Sequence, residues 1–211
     1  AEISGAARES TVIAEGSGSI AAGSQVGGNA FGLFGDFLVL LVHEEGGPVL
    51  RAYDTRGRLR WERQIPPSGS VWGGLTGDSR QSVFFYQFLG VADPSTAMRV
   101  DLERGGESVA SAPKLAFASD SIVAERTVVI GEDGVRIPVF LAHRRNLPRD
   151  RPHKLILYGY GAFGWASFLW YQPWLAEWFL HHDGVFAVAG VRGGGETGFP
   201  LARLQKSVVV G

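Results

Sequence analysis

Between Phe37 and Leu102 the apolar residues come in short runs, each closed by a polar or glycine-rich turn. Phe37 to His43, Val49 to Asp54 and Leu59 to Ile65 read as three strands joined by turns at Glu45-Gly46-Gly47-Pro48 and Arg56-Gly57. After Pro66-Pro67-Ser68-Gly69 the same order returns in Ser70 to Leu75, Ser82 to Leu89 and Ala97 to Leu102, with turns at Gly77-Asp78 and Asp93-Pro94. A hairpin then follows, Ile122 to Ile130 and Val135 to Ala142 around Gly131-Glu132-Asp133-Gly134, with Val135, Ile137, Val139 and Leu141 alternating toward one buried face.

From Leu155 the pattern changes. Leu155 to Tyr158 is unbroken in hydrophobicity and stops at glycine, as a buried parallel strand does. Pro173 suits a first helical turn, and Trp174, Leu175, Trp178 and Phe179 recur at helical spacing until Asp183-Gly184 ends the helix. Val185 to Val191 is a second apolar strand, so strand, helix and strand predict a right-handed βαβ unit. Residues Ala1 to Asn29, rich in Gly, Ser and Ala, read as loop or edge.

The two meanders resemble each other in their residues. Arg51-Ala52-Tyr53-Asp54 before Gly57 matches Met98-Arg99-Val100-Asp101 before Gly105, a repeat of about 47 or 48 positions. That spacing belongs to propeller blades and equally to any β-meander with evenly spaced turns. Two units cannot close a propeller, which takes four to eight.

Composition removes several functions. The 211 residues carry 20 basic and 21 acidic side chains, net −1, and so present no field to draw nucleic acid or anionic lipid. Cysteine is absent, which excludes disulfides, a thiol nucleophile and thiolate metal sites. The early apolar run Phe37 to Val42 is far short of the roughly 20 residues of a membrane helix. Ala1 to Ala7 lacks the basic-then-apolar order of a signal peptide, and the expected compartment stays open between cytoplasm and periplasm. His181-His182 fits a helix C-terminus better than a metal site, since adjacent helix positions do not share a face. Trp165, Trp170, Trp174 and Trp178 read as core and interface filling.

Two glycine loops end the two strands of the βαβ unit: Tyr158-Gly159-Tyr160-Gly161-Ala162-Phe163, and Arg192-Gly193-Gly194-Gly195-Glu196-Thr197-Gly198. Loops at the carboxyl ends of such strands are where α/β sheets carry their chemistry. The second is no phosphate loop, because it lacks the Gly-Lys-Ser/Thr ending and a following helix pattern. In this order, with the Trp-rich helix between them, the two motifs resemble the opening of the hydrolase domain of the prolyl oligopeptidase family of serine peptidases. Oligopeptidase B, a neighbouring branch, is less similar, since its second loop usually breaks the triple glycine. The resemblance covers about Phe37 to Gly198. It departs at Ala162, where the family usually has glycine and where a positive φ would strain the loop, and over residues 199–211, where only Lys206 corresponds loosely.

The resemblance implies a β-propeller portion of antiparallel blades (residues 1–118) followed by the start of an α/β-hydrolase domain (residues 119–211), both incomplete. It implies that Tyr160 points its phenol into the oxyanion hole, with Tyr158 structural. Gly159 and Gly161 free the loop of Cβ atoms, and Arg192, Gly193, Gly194, Gly195 and Glu196 form a supporting loop, through a hydrogen bond of Arg192 or of Glu196 to a neighbouring loop. No Gly-x-Ser-x-Gly elbow occurs, and Ser167 lacks the flanking glycines. The reading is therefore a serine-type peptidase, acting on short peptides after proline through an acyl-enzyme, whose Ser, Asp and His lie outside this chain, which is inactive alone. Its partners are the peptide substrate, the missing blades and the rest of the hydrolase domain; no cofactor, metal, nucleic acid or membrane is implied. The alternative is a non-catalytic propeller-type binding module or pseudoenzyme relic.

Overall fold

The computed structural model describes residues 13, 18–21, 28–44, 46–115, 117 and 119–196. Residues 199–211, with their unmatched ending, lie outside this set.

Two antiparallel sheets come first. β1 (Ser19–Ile20) and β2 (Phe31–Phe34) share one edge of β3 (Phe37–Glu44), which continues to β4 (Gly47–Asp54) and β5 (Leu59–Gln64). The second sheet is the simple meander β6 (Gly69–Thr76), β7 (Val83–Gly90), β8 (Asp93–Asp101), β9 (Gly106–Ser111). The first sheet thus has five strands and the second four, where the hydrophobic runs predict three in each. The additional strands β2 and β9 escape the pattern because both lie at sheet edges, with Phe31, Leu33 and Val109 exposed. The expected loop up to Asn29 is corrected at Ser19–Ile20, which pairs with Val42 and His43. The expected Asp93-Pro94 turn is also corrected: Val91 and Ala92 make the turn, and Asp93 opposite Gly90 starts β8.

The repeat has a structural cause. Asp54 and Asp101 end equivalent third strands, and each carboxylate accepts backbone N–H groups of the turn that follows, from Arg56 and Arg58 in one case and Arg104 in the other. Gly57 and Gly105 then supply the left-handed residues, at φ 75° and 66°. Side chains of both sheets, among them Val39, Leu41, Leu50, Phe84, Tyr86 and Val100, form one core between them.

A short 3-10 turn at Ser119–Ser121 leads into the third sheet, β10 (Ile122–Ile130), β11 (Arg136–Arg144), β12 (Leu155–Gly159) and β13 (Val185–Ala189), in the order β10-β11-β13-β12. β12 and β13 are parallel and joined through α1 (Pro173–His182). The helix begins with proline in its first turn and ends on Asp183 at φ 49°, with the Gly184 N–H bonded to the Trp178 carbonyl. Its Leu175 and Phe179 are buried against Phe140, Phe186 and Val188. Val91 and Ala92 from the β7–β8 turn enter this same core, so the second and third sheets are packed together.

Two expectations about the third sheet change. β11 buries residues on both faces: Phe140 and Ala142 toward the helix, Val139 in a smaller cluster with Ala187 and Ala189. β12 is an edge strand whose Leu155 and Leu157 are 55% and 64% exposed, although its composition predicted burial on both faces.

Candidate active site

The site is built where β12 and β13 end side by side. Because the two strands are parallel and in register from Leu155/Val185 to Gly159/Ala189, their following loops leave the sheet next to each other. Gly159 closes β12, and Tyr160 follows with half of its surface exposed. Tyr158, inside the strand, packs edge-on against Trp170, ring centres 4.9 Å apart. The Tyr160 loop turns through three left-handed residues, Gly161, Phe163 and Gly164. Gly161 is required twice over, since its φ is 65° and a Cβ would come within 2.6 Å of the Arg192 carbonyl oxygen. Ala162 keeps a negative φ, so the alanine departure strains nothing; the left-handed position is Phe163, whose side chain is 89% exposed.

The second loop, Gly190 to Glu196, clasps the first. The Gly164 N–H donates to the Gly193 carbonyl at 2.8 Å, and the Ser167 N–H donates to Glu196 Oε1 at 2.7 Å. Gly194 has no room for a side chain, because the Glu196 carboxylate folds back over it. Glu196 is 2% exposed, and burial pushes its carboxyl up to about 7, against the pull of the Ser167 N–H. Arg192 points the other way and pairs with Asp133 in the β10–β11 turn, which holds the Asp133 carboxyl below its ordinary range.

The first sheet also reaches this place. His43, near the end of β3, is 3% exposed and stacks edge-on against Phe168, with ring centres 5.1 Å apart; its Nε2 is buried without a hydrogen-bond partner. Burial lowers its imidazole to about 4, so it is neutral at pH 7. Beside it a cavity of about 440 Å³ opens between the β-sheets and the 165–172 loop, lined by Trp72, Leu89, Tyr158, Trp165 and Trp170 among others. Among the described residues no three potential ligands group to hold a metal ion, and no helix is long and apolar enough to cross a membrane.

The two glycine loops singled out in the sequence therefore lie together. His43 and Ser167 had no such signal: one lies more than a hundred residues before the loops, and the other contributes only its backbone N–H.

No family model matches the chain. It is 30% identical over 149 residues to the prolyl endopeptidase of Elizabethkingia miricola and 29% over 149 residues to that of Elizabethkingia meningoseptica, in each case 71% of this chain and 21% of the relative. The chain thus spans about a fifth of the length of these relatives. Among solved structures, one from a study of two prolyl endopeptidases and their inter-domain dynamics superposes with a TM-score of 0.76 at 23% identity, covering 90% of this chain and 26% of the other. Prolyl oligopeptidase B from Galerina marginata, bound to a 25-residue macrocyclization substrate, gives 0.77 at 21% identity over 91% of this chain and 26% of its own. Oligopeptidase B from Leishmania major shares the fold as well, at 0.72 and 19% identity over 84% of this chain and 26% of its own. The chain corresponds to a segment of the prolyl oligopeptidase family, and its two antiparallel sheets are an incomplete propeller portion.

Proposed function

We propose that this chain is part of a serine peptidase of the prolyl oligopeptidase class, with residues 1–118 in the propeller and 119–211 opening an α/β-hydrolase domain. The whole protein cleaves short peptides after proline through an acyl-enzyme, and its nucleophilic serine, aspartate and histidine come from residues outside this chain, which is inactive by itself. Tyr160 is the oxyanion donor: its O–H is aimed at the carbonyl oxygen that turns negative as the acyl carbon becomes tetrahedral, and it is uncharged in the ground state. Gly159, Gly161 and the Arg192–Glu196 loop fix where that phenol stands.

The observation that carries this reading is the place of Tyr160. It stands half-exposed in the loop between the third strand of the α/β sheet, β12, and the first helix, α1, the loop from which hydrolases of this architecture take an oxyanion donor. The test has two stages. The coding DNA read past the Gly211 codon is expected to hold a Gly-x-Ser-x-Gly elbow followed by Asp and His. In the encoded protein, Tyr160→Phe is expected to lower kcat on a prolyl peptide by on the order of 10²- to 10³-fold with KM little changed. An absent elbow, or an unchanged kcat, overturns the peptidase reading in favour of a non-catalytic binding module.

A further inference from the structure

We propose that the cavity between the β-sheets and the 165–172 loop is a docking site for an uncharged, proline-rich peptide segment, apart from the place where the peptide bond is cut. This rests on the peptidase reading for the peptide's role as substrate, though not for its binding.

The cavity's volume, about 440 Å³, is that of a small-ligand site, and it lies where two parts of the chain meet. Trp72 and Leu89 come from the second antiparallel sheet, Trp165 and Trp170 from the loop after β12. Among the described residues no Asp, Glu, Lys or Arg lines it. The one imidazole there, that of His43, is buried and neutral at pH 7. A charged group entering would lose water and gain no counter-charge, so the occupant is uncharged.

The walls are rings. Trp72, Tyr158, Trp165, Phe168 and Trp170 line the space, and Trp170 is held in place twice, edge-on to Tyr158 at 4.9 Å and to Phe186 at 5.4 Å between ring centres. Aromatic-lined grooves of this kind take polyproline II segments, whose shape is set before they bind, so that little entropy is lost.

Hydrogen bonding selects the same ligand. An indole N–H only donates, and among the described residues those of Trp72, Trp165 and Trp170 make no hydrogen bond, whereas that of Trp178 donates to the Val185 carbonyl. A proline residue has no N–H and brings only a carbonyl acceptor. Donor-only walls thus meet an acceptor-only backbone. The cavity also adjoins the proposed site of chemistry: Tyr158 lines it, and Tyr160, two positions on, begins the oxyanion loop.

The test is calorimetry on the 211-residue chain with acetyl-tetraproline amide as the probe, and with indole and acetyl-tetraglutamate amide for comparison. The proline peptide is expected to bind saturably with a negative heat-capacity change, and the glutamate peptide not to bind. Trp72→Ala, at a residue 46% exposed, is expected to weaken the proline peptide about tenfold or more. Trp170→Phe keeps a ring between Tyr158 and Phe186 but removes the N–H, and is expected to weaken it about fivefold. Trp174→Ala, equally exposed but outside the cavity, is expected to leave binding unchanged. No binding of the proline peptide overturns the proposal. So does binding that Trp72→Ala and Trp170→Phe leave intact, or that Trp174→Ala weakens as much as they do. Binding of indole without the proline peptide overturns it too, and makes the cavity a site for small aromatic molecules. Should Trp72→Ala not fold, Trp170→Phe against Trp174→Ala decides by the same criteria. Calorimetry needs no turnover. A chain that binds the peptide although no Gly-x-Ser-x-Gly elbow is encoded would sink the peptidase reading alone, and an active whole protein whose 211-residue segment ignores the peptide would sink this one alone.

Discussion

Glu196 Oε1 accepts the backbone N–H of Ser167 at 2.7 Å, across 29 positions of sequence and between the two loops that end β13 and begin after β12. The carboxylate is held there by Gly194, which leaves the space it occupies. A Cβ at position 194 would stand 2.1 Å from Glu196 Oε2. Gly194→Ala is therefore expected to push the carboxylate off Ser167 and to destabilise the protein by about 1 to 3 kcal/mol, the cost of orphaning a buried amide. Urea unfolding of the variant checks this, with faster exchange at the Ser167 amide as the local signature; a variant as stable as wild type with a protected Ser167 counts against the clasp.

The junction between the two propeller sheets rests on glycines of another kind. β6 bulges between Trp72 and Leu75, and Gly73 and Gly74 there adopt φ of 74° and 75°. The backbone of Asn29 enters the bulge and takes the Leu75 N–H at 2.8 Å, so that a Cβ on Gly74 would meet the Asn29 nitrogen at 2.6 Å. Gly105, at φ 66°, has nothing within 4 Å of its missing Cβ. Gly105→Ala is expected to cost only the left-handed penalty of about 1 kcal/mol, and Gly74→Ala distinctly more, because backbone must also move. Equal losses in thermal unfolding would mean that the junction does not depend on this close approach.

Arg51 ties three strands together. From β4 it takes both oxygens of Glu44 on β3, at 2.5 and 3.1 Å, and Glu62 on β5 at 2.6 Å. The two carboxylates raise the guanidinium above its ordinary range. The Arg51 side chain is half-buried and Glu62 stays 46% exposed, so Arg51→Met is expected to lower stability by about 1 kcal/mol, and by less in high salt. Unfolding curves at low and high ionic strength test this; a loss indifferent to salt would point to the alkyl packing of Arg51 instead.

What the sequence made legible was whatever local chemistry determines. The α1 boundaries follow from Pro173 and Asp183-Gly184, and the repeat at Asp54 and Asp101 is turn capping that any single strand end can show. The pairing of the two glycine loops also followed, since parallel strands joined by a helix bring their carboxyl ends together. What stayed hidden depends on partners distant in the chain. β2 and β9 are edge strands and carry no alternating pattern, and the exposure of β12 is set by the lack of a neighbour on its outer side among the described residues. His43 could not be read as part of the site, because the ring it packs against, Phe168, comes from a loop of another sheet. Nothing in the composition of β3 distinguishes a histidine aimed at a loop from one at a strand end.

His43 and Glu196 also set opposed pH dependences. The Glu196 carboxyl rises from 4.5 to about 7 on folding, so above pH 4.5 the unfolded chain releases a proton that the folded chain keeps, and stability falls as pH rises toward 7. The His43 imidazole falls from 6.5 to about 4, so below pH 6.5 the unfolded chain binds a proton that the folded chain refuses, and stability falls as pH drops toward 4. Each shift corresponds to roughly 3 kcal/mol over its full range. Between pH 4.5 and 6.5 the two slopes cancel, and wild type is expected to be nearly flat there as far as these two groups decide. Removing one exposes the other: Glu196→Gln is expected to gain stability as pH rises from 4 to 6.5, and His43→Phe to lose it as pH rises from 4.5 to 7. Urea unfolding of the three proteins at half-unit pH steps makes the comparison. Parallel curves for all three would mean that neither group is held out of water as the folded structure has it.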